Sequence, residues 1–439
     1  MPTPKQTRTG LTRDETRESL RRFNLSASLR TVFETVCGGT TFVFVGFARS
    51  LGVRSERMGW MTSIISFACI LQMIGIPFVG RAKNKKRLAL TLAITEPLLV
   101  IAAVILALLL PPGFRIVAFA SAVFAAAAFV HLSRPLTDDW FAATIPAAIR
   151  GRFLGRRLQI VSAVVITTTL TLGFLAQRMG MTNRIGLGCL LMAGAAAGVA
   201  AVLALREARM PALAANSAPR LGDFKRVLQT PFFMRLMAVN VLYNIPFFFA
   251  CPYYQVFNLE IAAMPAIMIA VMQAGYYAVK IVSLPYLGRL VDRWGPRRTM
   301  YRSGVVYALF FATFLVCGPG RFWPIMLGWA FVALADGAFG LAATTALYAS
   351  VPENPARPAY FAVANFVAVA FLGVGGAVAV PILEAIKTVH IRVGPFTLGN
   401  FHLLYGACAL AMIPCLLAAR LIPNELPDRA RPPTAQDHA

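Results

Sequence analysis

Runs of roughly 20 apolar residues recur along the whole 439-residue chain. As a helix, each is long enough to cross the hydrocarbon core of a bilayer. Composition agrees, with 58% hydrophobic and only 14% charged residues, where a soluble chain of this length carries nearer a quarter charged. The sequence describes an all-α, polytopic membrane protein whose first partner is the lipid bilayer.

The expected spans are 27–48, 58–79, 88–110, 114–144, 154–177, 184–205, 232–256, 261–287, 299–318, 323–349, 360–386 and 399–422. The fourth is interrupted by "HLSRPLTDDW". The longest interior connection, 206–231, is rich in Arg, Pro and Ala and divides the spans six and six. The expected organisation is an N-terminal segment (1–26), a six-helix bundle (27–205), a linker (206–231), a second bundle (232–422) and a tail (423–439). "LGDFKRVLQTPFF", at the end of the linker, suits an amphipathic helix on the membrane surface. "TRDE", Thr12 to Glu15, reads as a capping box that opens a short surface helix. No apolar stretch precedes Arg22, so no cleavable signal peptide is expected.

The net charge of +24 could suggest nucleic acid, but its placement argues for topology. With the N-terminus inside, thirty of the 42 Lys and Arg lie in or beside inner connections and tails, against nine outside. The remaining three, Arg30, Arg134 and Lys280, lie within spans. The positive-inside rule then puts both termini in the cytoplasm, in the inner membrane of a bacterium. Nucleic acid is excluded as a partner, since no basic, aromatic-interleaved domain is present. Seven cysteines without a C-x-x-C pair read as small hydrophobes, all but Cys251 lying well within apolar runs.

Residues 288–298, "GRLVDRWGPRR", follow the eighth span. Gly288, Leu290, Asp292, Arg293, Gly295 and Arg297 match the loop signature G-x-L-x-D-R-x-G-x-R. On these residues, the twelve spans and the basic central linker, the chain resembles the major facilitator superfamily of transporters. The resemblance implies two pseudo-symmetric six-helix halves rocking around a mid-membrane site. It also implies that spans 1, 4, 7 and 10 line the central cavity. In that family the loop helps hold the cytoplasmic side closed by meeting the other half. The counterpart here would be "RGRFLGRR", residues 150–157, offering cations to Asp292, while the glycines permit a tight turn. The plainer reading is a solvated topology determinant. Pro296 stands where the family usually has a basic residue. The pseudo-symmetric copy after span 2, "GRAKNKKR" (80–87), has Asn84 in place of the acid and lacks the second glycine, so it cannot supply the anion.

Ionisable groups at membrane depth are costly and by default functional. Span 4 carries His131, Arg134 and Asp138, stacked on one helical face by spacings of three and four. Span 1 carries Arg30 and Glu34, four apart. These can be structural ion pairs that satisfy each other. They can equally couple protons, since a carboxylate whose proton affinity depends on a mobile arginine can load and release a proton. Asp336 in span 10 has no cation near it in sequence, and is read as facing a polar cavity or meeting a partner on a neighbouring helix. Asn240, Tyr243 and Asn244 in span 7 form a neutral hydrogen-bonding face suited to a polar solute, or helix–helix glue. Span 8 adds Gln273, Tyr276 and Lys280, the last read as snorkelling to the headgroups. Glu96, in a span that is peripheral in the family, reads as a packing partner or a protonated acid. Gly194 and Gly198 form a small-xxx-small packing pattern.

No P-loop, dinucleotide fingerprint, metal cluster or nucleophile–base pair occurs in the sequence. No cofactor is expected, and ATP-driven transport or enzymatic activity is disfavoured. The expectation is a monomeric secondary transporter of a small organic solute, coupled to protons or another ion. The alternative is a transporter-like sensor or scaffold that moves no solute.

Overall fold

The computed structural model describes residues 12–71, 84–145, 150–211, 225, 227–350, 357–394 and 396–422. Helix occupies every expected span within them. In chain order these are α1 (Arg13–Cys37), α2 (Phe42–Ser50), α3 (Met58–Phe67), α4 (Lys85–Leu109), α5 (Pro112–Thr144), α6 (Arg150–Met179) and α7 (Arg184–Arg206). They are followed by α8 (Pro231–Ala250), α9 (Ala266–Thr313), α10 (Trp323–Ser350), α11 (Arg357–Ala385) and α12 (Asn400–Ala418). Ten described segments are long and apolar enough to cross a membrane, and one of them, 266–316, holds two expected spans. Span 2 is described only to residue 71. The chain is an integral, multi-pass, all-α membrane protein.

One element was not expected from the sequence. Between α11 and α12, β1 (Ile391–Val393) and β2 (Phe396–Leu398) pair antiparallel with Ile391 opposite Leu398. Branched residues suit the pleated ladder, and Gly394 takes a φ of 57° at the turn.

The chain divides into two compact units. Unit 1 comprises Met1–Ala218 with Pro265–Ala274, and unit 2 comprises Pro219–Met264 with Gly275–Ala439. Within unit 1, α1 runs along α7, and α4 packs on both α5 and α7. The α1–α7 approach depends on small residues. A Cβ added at Gly194 would lie 2.6 Å from the Val36 Cβ, and one at Gly198 would lie 2.8 Å from the Phe33 ring. Close packing is therefore what "AGAAAGVA" provides.

The capping box at Thr12 is present. The Glu15 N–H donates to Thr12 Oγ1 at 3.3 Å, and the Thr12 N–H donates to Glu15 Oε2 at 2.9 Å. The helix it opens is not the short surface helix expected. It continues without a break to Cys37, while the first span is instead interrupted at Gly38–Thr41 before α2 begins. Two glycines in succession explain the interruption, and tertiary docking explains the continuity. Phe23 meets the buried Trp140 ring edge-on at 5.3 Å. Trp140 Nε1 donates to the Arg209 carbonyl at 2.9 Å, and the Arg209 N–H donates to Ser19 Oγ at 3.1 Å. Arg209 also pairs with Glu15 at 2.6 Å, and Arg22 pairs with Glu207. The start of the linker is thereby fastened to α1.

In unit 2, the connection 288–298 is no open loop. Helix runs on both sides of it within α9, and the chain turns at Gly295, whose φ of 75° and ψ of 163° are non-helical. Pro296 follows and cannot continue the preceding hydrogen-bond ladder. The second end of span 7 departs from the α-helix too, passing through short 3-10 and π turns over Cys251–Ile261. Of the amphipathic helix expected over 221–233, residues 221–224 and 226 lie outside the described set, and the described part is broken at Gln229–Thr230 before α8 begins at Pro231.

Candidate functional site

Unit 1 contains a cavity of about 440 Å³, a volume typical of small-molecule sites. Its charged and polar wall includes Arg30, Thr31, Glu34, Arg134, Asp138 and Arg157. The α1 and α5 stripes legible in the sequence therefore converge on one space. Phe23 and Phe141 close it on an apolar side, their rings 5.1 Å apart.

Arg30 anchors the cluster. Its Nη2 donates to Glu96 Oε1 at 2.9 Å and its Nη1 to Glu96 Oε2, a bidentate pair across 66 residues of chain. Its Nε also donates to Glu34 Oε1 at 3.0 Å. A planar guanidinium presents donors in a fork that suits two carboxylates at once. Glu96 is buried in α4, with 8% of its side chain exposed, whereas Glu34 is 54% exposed. The sequence left Glu96 between a packing partner and a protonated acid. Its position gives it the first role, with Arg30 as the partner.

On α5, Arg134 and Asp138 do not form a direct ion pair with each other among the described residues. Arg134 and Arg157 both act on the Asp138 carboxylate through space. Arg157 lies over the Phe141 ring, 4.0 Å from its centroid, a favourable cation–π geometry. Its Nη1 is buried and has no hydrogen-bond partner among the described residues. Arg157 was legible only as part of the gate strip, and its place in the cavity wall was missed. His131 is buried beside Arg134 but does not line the cavity.

Unit 2 carries a second charge cluster, built on α9 and α10. Lys280 Nζ donates to Asp336 Oδ2 and, at 3.2 Å, to Tyr276 Oη. Tyr276 Oη donates to Asp336 Oδ2 at 2.5 Å, and Tyr307 Oη donates to Oδ1 at 3.2 Å. Lys280 therefore points to an acid and does not snorkel to the headgroups, since a carboxylate 56 residues away in sequence stands one hydrogen bond away in space. Asp336 has its partner on a neighbouring helix, the other of the two readings the sequence allowed. Tyr307 was missed altogether, for no charged residue lies within four positions of it in sequence.

The span 7 face does not present three equal ligands. Asn244 Nδ2 donates to the Asn240 Oδ1 and backbone oxygen, both at 2.8 Å. Tyr243 is buried, stacked on Phe339 at 3.5 Å and edge-on to Tyr307 at 5.3 Å. Gln273 is half-buried near the start of α9, in the part that belongs to unit 1.

At the turn in α9, Asp292, Arg293 and Arg298 are exposed or half-buried, as are Gly288 and Arg297. Arg302 lies over the Trp294 ring at 3.7 Å and fixes one flank of the turn. Of the strip 150–157 expected to meet Asp292, only Phe153, Arg156 and Arg157 have described side chains. In the pseudo-symmetric stretch, residues 80–83 lie outside the described set. Asn84 acts as the N-cap of α4, accepting from the Arg87 N–H at 3.0 Å. A capping amide takes the place of the motif's acid.

The model of the Major Facilitator Superfamily matches residues 264–438. No curated protein sequence matches the chain. Among solved structures, a mutant of the nucleoside transporter NupG superposes with a TM-score of 0.72 at 13% identity, over 92% of this chain and 99% of that one. A D-xylose-proton symporter gives 0.69 at 12% identity, over 93% and 98%. A bacterial homolog of the human lysosomal transporter Spinster, inward-facing and unoccupied, gives 0.68 at 13% identity, over 94% and 98%. At these identities the likeness is one of fold.

Proposed function

We propose that this chain, a major facilitator superfamily protein by fold and by the family match over residues 264–438, is a secondary active transporter that moves a small polar organic solute by alternating access. The observation that carries the reading is the unit 1 cavity, where ionisable groups from several membrane-spanning helices meet around space for a small molecule. Charged side chains at membrane depth are tolerated where they pair or face a cavity, and they mark substrate and proton routes. Both termini face the cytoplasm of a bacterial inner membrane, and the turn at Gly288–Arg297 serves as a cytoplasmic gate.

Protons drive the transport. Glu34 and Asp138 are the coupling acids, because each stands beside an arginine and opens to the cavity. Arg134 is the mobile partner. Asp336, with its three donors, positions α9 against α10. The test is uptake into proteoliposomes with an imposed pH gradient. Glu34→Gln and Asp138→Asn should each abolish gradient-driven accumulation, and Asp138→Asn should spare solute exchange. Full pH-driven uptake by both variants would sink the coupling assignment and leave the pairs purely structural.

A further inference from the structure

We infer that the solute taken by the unit 1 cavity is a zwitterion, with a cationic group held at Glu34 and an anionic group held at Arg134 and Arg157. This rests on the transport reading above and specifies its substrate class.

The argument starts from which charges are already used. Beside the cavity one guanidinium, Arg30, hydrogen-bonds two carboxylates, Glu96 and Glu34, and Arg134 acts on Glu96 through space. Glu96 engages Arg30 with both oxygens, so little of that cation is left for Glu34. Glu34 accepts one hydrogen bond, at Oε1, and its other oxygen accepts none among the described residues. Its side chain is more than half exposed, and it lines the same cavity. Glu34 therefore offers the cavity a free anionic acceptor. On α5 and α6 two guanidinia, Arg134 and Arg157, act on one carboxylate, Asp138, without a hydrogen bond to it among the described residues. These arginines therefore offer the cavity unused cationic donors. Removing polar groups from water is repaid only when their hydrogen bonds are made. A solute with an ammonium at one end and a carboxylate at the other completes both halves at once. A neutral solute would leave the anionic acceptor and the cationic donors without charged partners, and a purely anionic or cationic one would match only one of them. The Phe23 and Phe141 wall offers contact for an apolar body between the charged ends.

The purified full-length chain should be screened for thermal stabilisation by the proteinogenic α-amino acids, a pentose and a nucleoside, since a bound solute raises apparent stability. The best amino acid is then compared with its methyl ester and its N-acetyl derivative. Each derivative removes one charge and should bind about 10- to 100-fold more weakly, the range for a lost charged hydrogen bond. Glu34→Gln should weaken the parent amino acid by the same factor yet leave the N-acetyl derivative unchanged. Arg134→Gln and Arg157→Gln should do the converse with the methyl ester. The retained affinity for the matching derivative shows that each variant is folded, and the cycle isolates each contact. Stabilisation by the pentose or nucleoside but by no amino acid overturns the zwitterion and leaves the transport reading intact. An ester and an N-acetyl derivative that bind as well as the parent overturn it too. A chain reconstituted in vesicles that moves no solute of any class overturns both readings.

Discussion

Two charge clusters lie at membrane depth, and they are built on opposite principles. In unit 2, Asp336 receives three donors, from Lys280, Tyr276 and Tyr307, and aromatic packing surrounds the group. Tyr276 meets Trp329 at 5.6 Å, and Tyr307 meets Tyr243 at 5.3 Å. In unit 1, Glu34 receives one donor and faces a cavity. A carboxylate with both oxygens engaged has no inducement to change partner, whereas one with a free oxygen beside a cavity can. A buried pair is weak evidence for stability, because desolvation offsets much of the attraction. What it does impose is a cost on losing one member alone, and that cost separates a locked pair from an exchangeable one.

The sharpest way to break this comparison is Glu96→Ala. It leaves Arg30 at membrane depth with only the half-exposed Glu34 to pair with, and should destabilise unit 1 by about 3 kcal/mol or more. Glu34→Gln, at the exposed side of the same arginine, should cost no more than about 1 kcal/mol. Denaturation of both variants in one detergent measures the two. Equal losses would mean that Glu34 is as locked as Glu96, and the exchangeable acid would be lost.

Unit 2 should respond differently. Lys280→Met and Asp336→Asn each strand one partner of a half-buried pair and should cost about 2–3 kcal/mol. The double variant should recover most of that, because neither charge is then left alone. Strict additivity of the two single losses would show that Lys280 and Asp336 do not act as a pair.

Legibility in the sequence followed the range of each contact. Helix periodicity and the positive charge of the connections require only local information, so the spans and the motif stretch could be read directly. Arg30 and Glu34 were visible as partners because a separation of four residues puts them on one face. Glu96 was not, since nothing local joins it to Arg30 across 66 residues. Lys280 and Asp336 each looked solitary for the same reason. Yet the signal was present, because two solitary opposite charges at similar depth in membrane helices are costly apart and satisfied together. The continuity of α1 was hidden by its polarity before Leu25. That stretch is helical because Trp140 and Arg209, far along the chain, hold it. The hairpin 391–398 was missed because six paired residues between two long apolar runs register only as a connection.

The smallest expected effect tests whether the three donors of Asp336 are equivalent. Tyr307 donates to Oδ1 at 3.2 Å, while Tyr276 and Lys280 share Oδ2, with Tyr276 at 2.5 Å. Tyr307→Phe keeps the ring, and with it the edge-on contact to Tyr243. It removes one hydroxyl and leaves Oδ1 without a donor, but Asp336 is 32% exposed, so water can replace the lost bond. The loss should stay below about 1 kcal/mol. Tyr276→Phe removes a donor from Asp336 and an acceptor from Lys280, and should cost about 1–2 kcal/mol. Denaturation midpoints of the two variants, taken at constant slope, decide the order. If Tyr307→Phe proves the costlier, Oδ1 is sealed from water. The contrast with Glu34 would then sharpen, because every lone pair of Asp336 would depend on the protein alone.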